Sequence, residues 1–120
     1  MPLKQKRQHR HLPALVLLLV AEGPVHGGAV RTALMTRNPG FKVDSGAVYR
    51  TLKTLEDDGE VESSWDTLKP GPALKIYRLT PAGWDKLEAW KADIEYRAGL
   101  LGNFLAAYDR LVRTRGASTK

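Results

Sequence analysis

From Thr80 to Arg113 a helical pattern runs with only Gly99 and Gly102 to interrupt it, in a chain of 120 residues. At 1.5 Å per residue that run is roughly 51 Å long. A compact domain of this size has a radius of gyration of only about 13–14 Å. Such a helix cannot be covered by its own chain. It nevertheless carries an apolar seam, Trp90, Ile94, Ala98, Leu101, Leu105, Tyr108 and Val112, at coiled-coil spacings of three and four. A bare stripe of that kind is an aggregation liability. The simplest cover is the same surface of a second copy about a two-fold axis. Residues 80–115 are therefore expected to form a C-terminal dimerisation helix and the protein a homodimer. Leu15 and Leu19, on an apolar first helix, are expected to complete the interface. Gly99 and Gly102 leave three readings open: a kink, a close helix crossing, or a break near Gly102-Asn103. A crossing or kink is favoured.

Before that helix the chain is cut by Gly23-Pro24, Asn38-Pro39-Gly40, Asp58-Gly59 and Lys69-Pro70-Gly71-Pro72. The segments between the cuts are short. Leu12 to Glu22 is a helix apolar nearly all round, hence buried on several sides. Gly27 to Arg37 is a second helix with Val30, Ala33 and Leu34 on one face. Asp44 to Asp58 is a third, with Asp44 as N-cap and Val48, Leu52 and Leu55 at i, i+4, i+7. Glu60 to Trp65 alternates, placing Val61, Ser63 and Trp65 opposite Glu62 and Ser64. Leu74 to Leu79 is a second strand, joined to the first by a loop longer than a tight turn. Thr80-Pro81 opens the last helix with a cap and a proline at its first position. Helices followed by a two-stranded wing are the arrangement of a winged helix-turn-helix. The fold class is α+β, mostly α, with a winged-helix domain at 12–79 preceded by a basic arm at 1–11.

Charge then points to a partner. The first 53 residues hold nine Lys and Arg against Glu22 and Asp44, a net +7, whereas the remainder nets −1. An excess so placed seeks an anion. On the third helix, 100° steps put Arg50, Lys53 and Thr54 opposite the apolar stripe, with Gly46 at the start and Tyr49 on the flank. Such a helix can enter a major groove about 12 Å wide. Gly46 and Ala47 are small enough for its N-terminal amides to approach a phosphate. A basic outer face is also what a merely solvated helix presents. The net +7 and the wing favour double-stranded DNA. Lys42, Lys69 and Lys75 are expected as phosphate contacts.

The basic start followed by apolar 14–21 has the layout of a secretory signal. Eight apolar residues are too few to span a bilayer, which needs about 20. Cleavage after Ala21 would put Leu19 where a small residue is wanted. A first helix is the better reading, with no membrane partner and a cytoplasmic protein expected.

Across about residues 12 to 90 the chain resembles the PadR-like transcriptional regulators. The resemblance rests on Gly23-Pro24-Val25-His26-Gly27, on Gly46-Ala47-Val48-Tyr49-Arg50-Thr51-Leu52 with Leu55-Glu56 and Gly59, and on Ser63-Ser64-Trp65. It continues through Gly71-Pro72 and Tyr77-Arg78-Leu79-Thr80-Pro81-Ala82-Gly83. It implies that Tyr49 contacts DNA, that His26 is a packing or helix-start residue, and that the C-terminal helices dimerise. It also implies a homodimeric repressor on a pseudo-palindromic operator. There are departures. Gly28 stands where the family often has tyrosine, and Leu74 replaces a wing arginine. The resemblance further allows a small aromatic effector, for which Trp84, Trp90, Phe104 and Tyr108 are the candidate lining. A protein-interaction adaptor on the same scaffold is the remaining alternative.

No cofactor is expected. The chain has no cysteine, so thiolate chemistry is excluded. His9-x-His11 is the only close histidine pair and falls short of a metal site. Ser45 lacks the surroundings of a nucleophile, and Glu56-Asp57-Asp58 is a solvated helix end. No catalytic set is present and an enzyme is not expected.

Overall fold

The computed structural model describes residues 10–68 and 70–118. The order of elements is α1 (Leu12–Ala21), β1 (Val25–His26), α2 (Gly27–Arg37), α3 (Ser45–Asp57), β2 (Val61–Asp66), β3 (Leu74–Leu79) and α4 (Pro81–Ser118). Packing divides the chain into two compact units, the first ending at Leu87 and the second beginning at Glu88. The basic arm expected at 1–11 lies, apart from Arg10 and His11, outside the described residues.

The first unit is built on α1. Leu12, Ala14, Val16, Leu17, Leu19 and Val20 are all buried, as a helix with no polar face requires. The helix stops one residue before the expected Glu22, which is its C-cap. Against it pack Val30 and Leu34 of α2 and Val48, Leu52 and Leu55 of α3, each at most 3% exposed. Of the two α1 leucines expected at a dimer contact, Leu19 lies in this core and Leu15 is half-buried. The α1 leucine left exposed is Leu18.

Local signals set the helix starts. The Asp44 carboxylate accepts the Ala47 N–H at 2.6 Å and caps α3. The Thr80 hydroxyl accepts from Gly83 N at 3.1 Å and donates to Gly59 O at 2.6 Å, tying the start of α4 to the end of α3. Gly59 itself has φ 76°, the left-handed turn that ends α3.

The sheet has three antiparallel strands in the order β1-β3-β2. The hairpin is the expected one, shifted by a residue, since β2 begins at Val61 and runs to Asp66. Its pairs run from Val61↔Leu79 to Asp66↔Leu74. The third strand, β1, was not expected. Val25 and His26 pair with Tyr77 and Ile76 across the other edge of β3. A second difference concerns Trp65. Alternation puts it on the same side of the strand as Val61, which is buried, yet it is 64% exposed. Helix α3 covers the β2 end that begins at Val61, and the covered face gives out before Trp65.

Helix α4 is unbroken through Gly99 and Gly102. The break is thus excluded. A Cβ built at either glycine meets nothing within 4 Å, so no crossing among the described residues explains them. In the second unit Ile94, Leu101, Leu105, Tyr108 and Val112 of the seam are exposed, and Trp90 is partly so. Leu100, Phe104 and Leu111 are exposed as well, beside the seam. At 100° per residue they widen the apolar arc to about 160°. Among the described residues no helix is long and apolar enough to cross a membrane, and no three metal-binding side chains cluster.

Candidate nucleic-acid interface

Helix α3 divides its residues sharply. Val48 and Leu52 are fully buried and Leu55 nearly so, which fixes the rotation of the helix about its axis. The opposite face then carries Gly46, Tyr49, Arg50, Lys53 and Thr54, all exposed, with Ala47 partly covered at its edge. Lys42 is exposed in the loop just before the helix. That loop is held by Arg31, whose Nε donates to Val43 O at 2.9 Å, so Arg31 acts as a brace between α2 and α3.

The charges on this face are only lightly neutralised. Lys53 Nζ lies 3.5 Å from Asp57 one turn on, a long and solvated pair. Arg50 bends back over the first turn, with its Nη1 3.0 Å from where a Gly46 side chain would begin. Asp44 is there too, 3.2 Å from the same point. The first turn of α3 is therefore already served by the chain's own carboxylate, and the Ala47 amide expected to face a phosphate is occupied by it. The positive field of the face comes from Arg50, Lys53 and Lys42 more than from the helix end.

Tyr49 is 48% exposed, and its ring lies directly on Gly27 at the start of α2. Two further tyrosine and histidine positions support this junction. His26 Nδ1 accepts the Ala29 N–H at 3.3 Å, which makes it the N-cap of α2 and the helix-start residue the resemblance implied. Tyr77, 4% exposed on β3, has its phenol pushed up by burial, Lys75 opposing and Glu56 and Tyr49 adding to the effect.

The wing contributes less charge than expected. Lys75 Nζ sits 3.3 Å from Glu56 Oε1 and 5.7 Å from the Tyr77 ring centre, so its ammonium is turned toward the end of α3. Glu56 is held below the ordinary carboxylate range, first by the Ser63 hydroxyl that donates to it and then by Lys75, against the opposing effect of burial. Lys69 lies outside the described residues. One exposed cation was missed. Arg78 donates to Ser64 Oγ at 2.9 Å on the uncovered face of the wing. Its place between buried Tyr77 and half-buried Leu79 in a period-two strand was the available signal.

The aromatics offered for an effector are divided between the two units. Trp84 belongs to the first unit and is 58% exposed, while Phe104 and Tyr108 in the second are equally open. A shallow groove of about 280 Å³ exists elsewhere, between the end of α1 and α2. Leu19, Val25 and Val30 line it, and Glu22 and Arg37 pair across its rim at 2.5 and 2.6 Å.

Comparison with known proteins places this geometry. The profile of the Transcriptional regulator PadR-like family matches residues 16–89. Transcriptional regulator Rv3488 of Mycobacterium tuberculosis is 40% identical over 68 residues, 57% of this chain. The match spans 61% of that curated relative's length. Among solved structures, a conserved protein described as a potential transcriptional factor is 30% identical, with TM-score 0.79, over 93% of this chain and 99% of its own. A PadR family transcriptional regulator from Eggerthella lenta is 26% identical, with TM-score 0.72, over 82% and 84%. The Bacillus subtilis PadR, solved in complex with operator DNA, has the same fold at 23% identity and TM-score 0.62, over 68% of this chain and 47% of its own.

Proposed function

This chain belongs to the PadR-like family of transcriptional regulators, and from that premise we propose that it is a homodimeric, sequence-specific repressor that reads double-stranded DNA with α3. The observation that carries the reading is the outer face of α3: Tyr49, Arg50, Lys53 and Thr54 exposed above a wholly buried Val48-Leu52-Leu55 stripe. Arg50 and Lys53 reach base edges or phosphates in the major groove, and Lys42 anchors the backbone beside them. Bacillus subtilis PadR, which shares the fold, was solved in complex with operator DNA, and this supports double-stranded DNA as the partner.

The dimer rests on the second unit. Its exposed arc of leucines, Phe104 and Tyr108 is too wide for the narrow stripe of a two-helix seam. A partner's α4 together with a second helix suits that width, and Leu15 and Leu18 of α1 are the candidates for the adjoining surface. Residues 12–79 thus serve as the reading domain and 80–115 as the pairing element. The two α3 helices then meet major grooves about 34–36 Å apart on a pseudo-palindrome. A small aromatic effector would bind where pairing buries Trp90, Phe104 and Tyr108, and quenching of tryptophan fluorescence by aromatic acids tests for it.

Fluorescence polarisation against genomic fragments at several salt concentrations tests the main reading. Contact with about 6–10 phosphates predicts a loss of roughly 10³–10⁵ in affinity between 50 and 200 mM salt. Binding that is absent, or indifferent to salt, would falsify it.

A further inference from the structure

Gly27 has no conformational reason to be glycine. It is the first residue of α2, and it is not among the glycines with a left-handed backbone, which are Gly23, Gly40, Gly59 and Gly71. Alanine is the better helix former, so the backbone alone would favour a side chain here. Space is what forbids one. A Cβ at Gly27 would stand 2.4 Å from Tyr49 Cε1, 2.9 Å from Cζ and 3.1 Å from the hydroxyl oxygen. These are atoms of a rigid ring with two torsions, not the end of a flexible chain. The contrast is Gly46, where a Cβ would come no nearer than 3.0 Å to the tip of Arg50, which can swing aside, and 3.2 Å to the Asp44 carboxylate.

We propose that Gly27 is the positioning residue for Tyr49: its missing side chain is the seat on which the Tyr49 ring lies. The seat lays the ring along the start of α2 and leaves Tyr49 48% exposed beside Arg50. The phenol is thus presented to DNA in one fixed pose, with little side-chain freedom left to lose on binding. The α2 start is itself fixed, by His26 as its cap and by the pairing of β1 with β3. The seat is therefore anchored to the sheet, and Tyr49 is registered against the sheet as well as against its own helix. This inference rests on the DNA-reading function proposed above.

A double-mutant cycle in DNA affinity tests it, using Gly27→Ala, Tyr49→Ala and the pair, with the thermal melt of each variant recorded first. Gly27→Ala evicts the ring, and affinity falls by roughly tenfold, the scale of one lost base-edge contact. In the Tyr49→Ala background the added methyl meets no ring, and the same substitution changes affinity less than about twofold. The slope of affinity against salt stays unchanged, because the phenol is uncharged and no cation has moved. An equal loss in both backgrounds, no loss in either, or a flattened salt slope overturns the proposal. If Gly27→Ala alone does not fold, recovery of a cooperative melt in the double variant supports the seat, and failure to recover it overturns it. A wild-type protein that binds no DNA refutes the reading function instead, while the cycle in melting temperatures still reports on the contact.

Discussion

Two glutamates at the end of α3 respond to pH in opposite senses. Glu60 is 9% exposed, its Oε1 has no hydrogen-bond partner among the described residues, and burial raises its pKa against a partial offset from Lys86. The folded state then binds the proton more tightly than the unfolded state. Stability falls as pH rises from the ordinary glutamate value through the raised one. Glu56 is held low by Ser63 and Lys75, so its contribution is present above the ordinary value and is lost as pH falls below it. Glu60→Leu should raise the unfolding free energy at pH 7 by about 1–2 kcal/mol and flatten the decline above the ordinary glutamate range. Urea melts across pH measure both, and a lower midpoint at pH 7 would refute the assignment. Glu56→Gln releases the Lys75 ammonium from its partner. Affinity for DNA should rise and the salt slope steepen by about one unit, read by polarisation titrations. An unchanged slope would mean that Lys75 faces away from the duplex.

At the scale of elements, what was legible in the sequence is what local chemistry fixes. Asp44, Gly59 and Thr80-Pro81 act within one turn of themselves, and α3, its termination and the start of α4 fall where they indicate. Asp44→Ala should cost about 1 kcal/mol by loss of the α3 cap, measured by chemical denaturation, and a neutral result would show that the Ala47 amide finds another acceptor. Strand β1 was not legible, because two residues carry no periodicity and Val25-His26 is a strand only because β3 offers it an edge. The exposure of Trp65 was not legible for a related reason. Alternation gives the side of the sheet but not where the covering layer stops. The uncovered face of α3 was legible as a set, Tyr49, Arg50, Lys53 and Thr54 all being exposed. Its supports were not. The Gly27 seat and the Lys75–Glu56 pair join residues 22 and 19 positions apart, and nothing local announces either.

For the whole molecule, the governing fact is that the second unit exposes Leu100, Leu101, Phe104, Leu105, Tyr108 and Leu111, each 57–69% open. Replacing Leu101 and Leu105 together by Glu should leave a single-chain species at micromolar concentration by sedimentation. DNA affinity should fall steeply, since the second reading helix no longer arrives tethered to the first. A variant that still sediments as two chains would move the interface elsewhere. If α4 pairs with a second copy as proposed, the same bare helix ties the protein's persistence to its dose. When pairing is what shelters α4, dilution favours the unfolded chain by mass action. A cell that lets the copy number drift down then loses occupancy faster than it loses polypeptide. Silencing by such a protein would lift abruptly, with no inducer required.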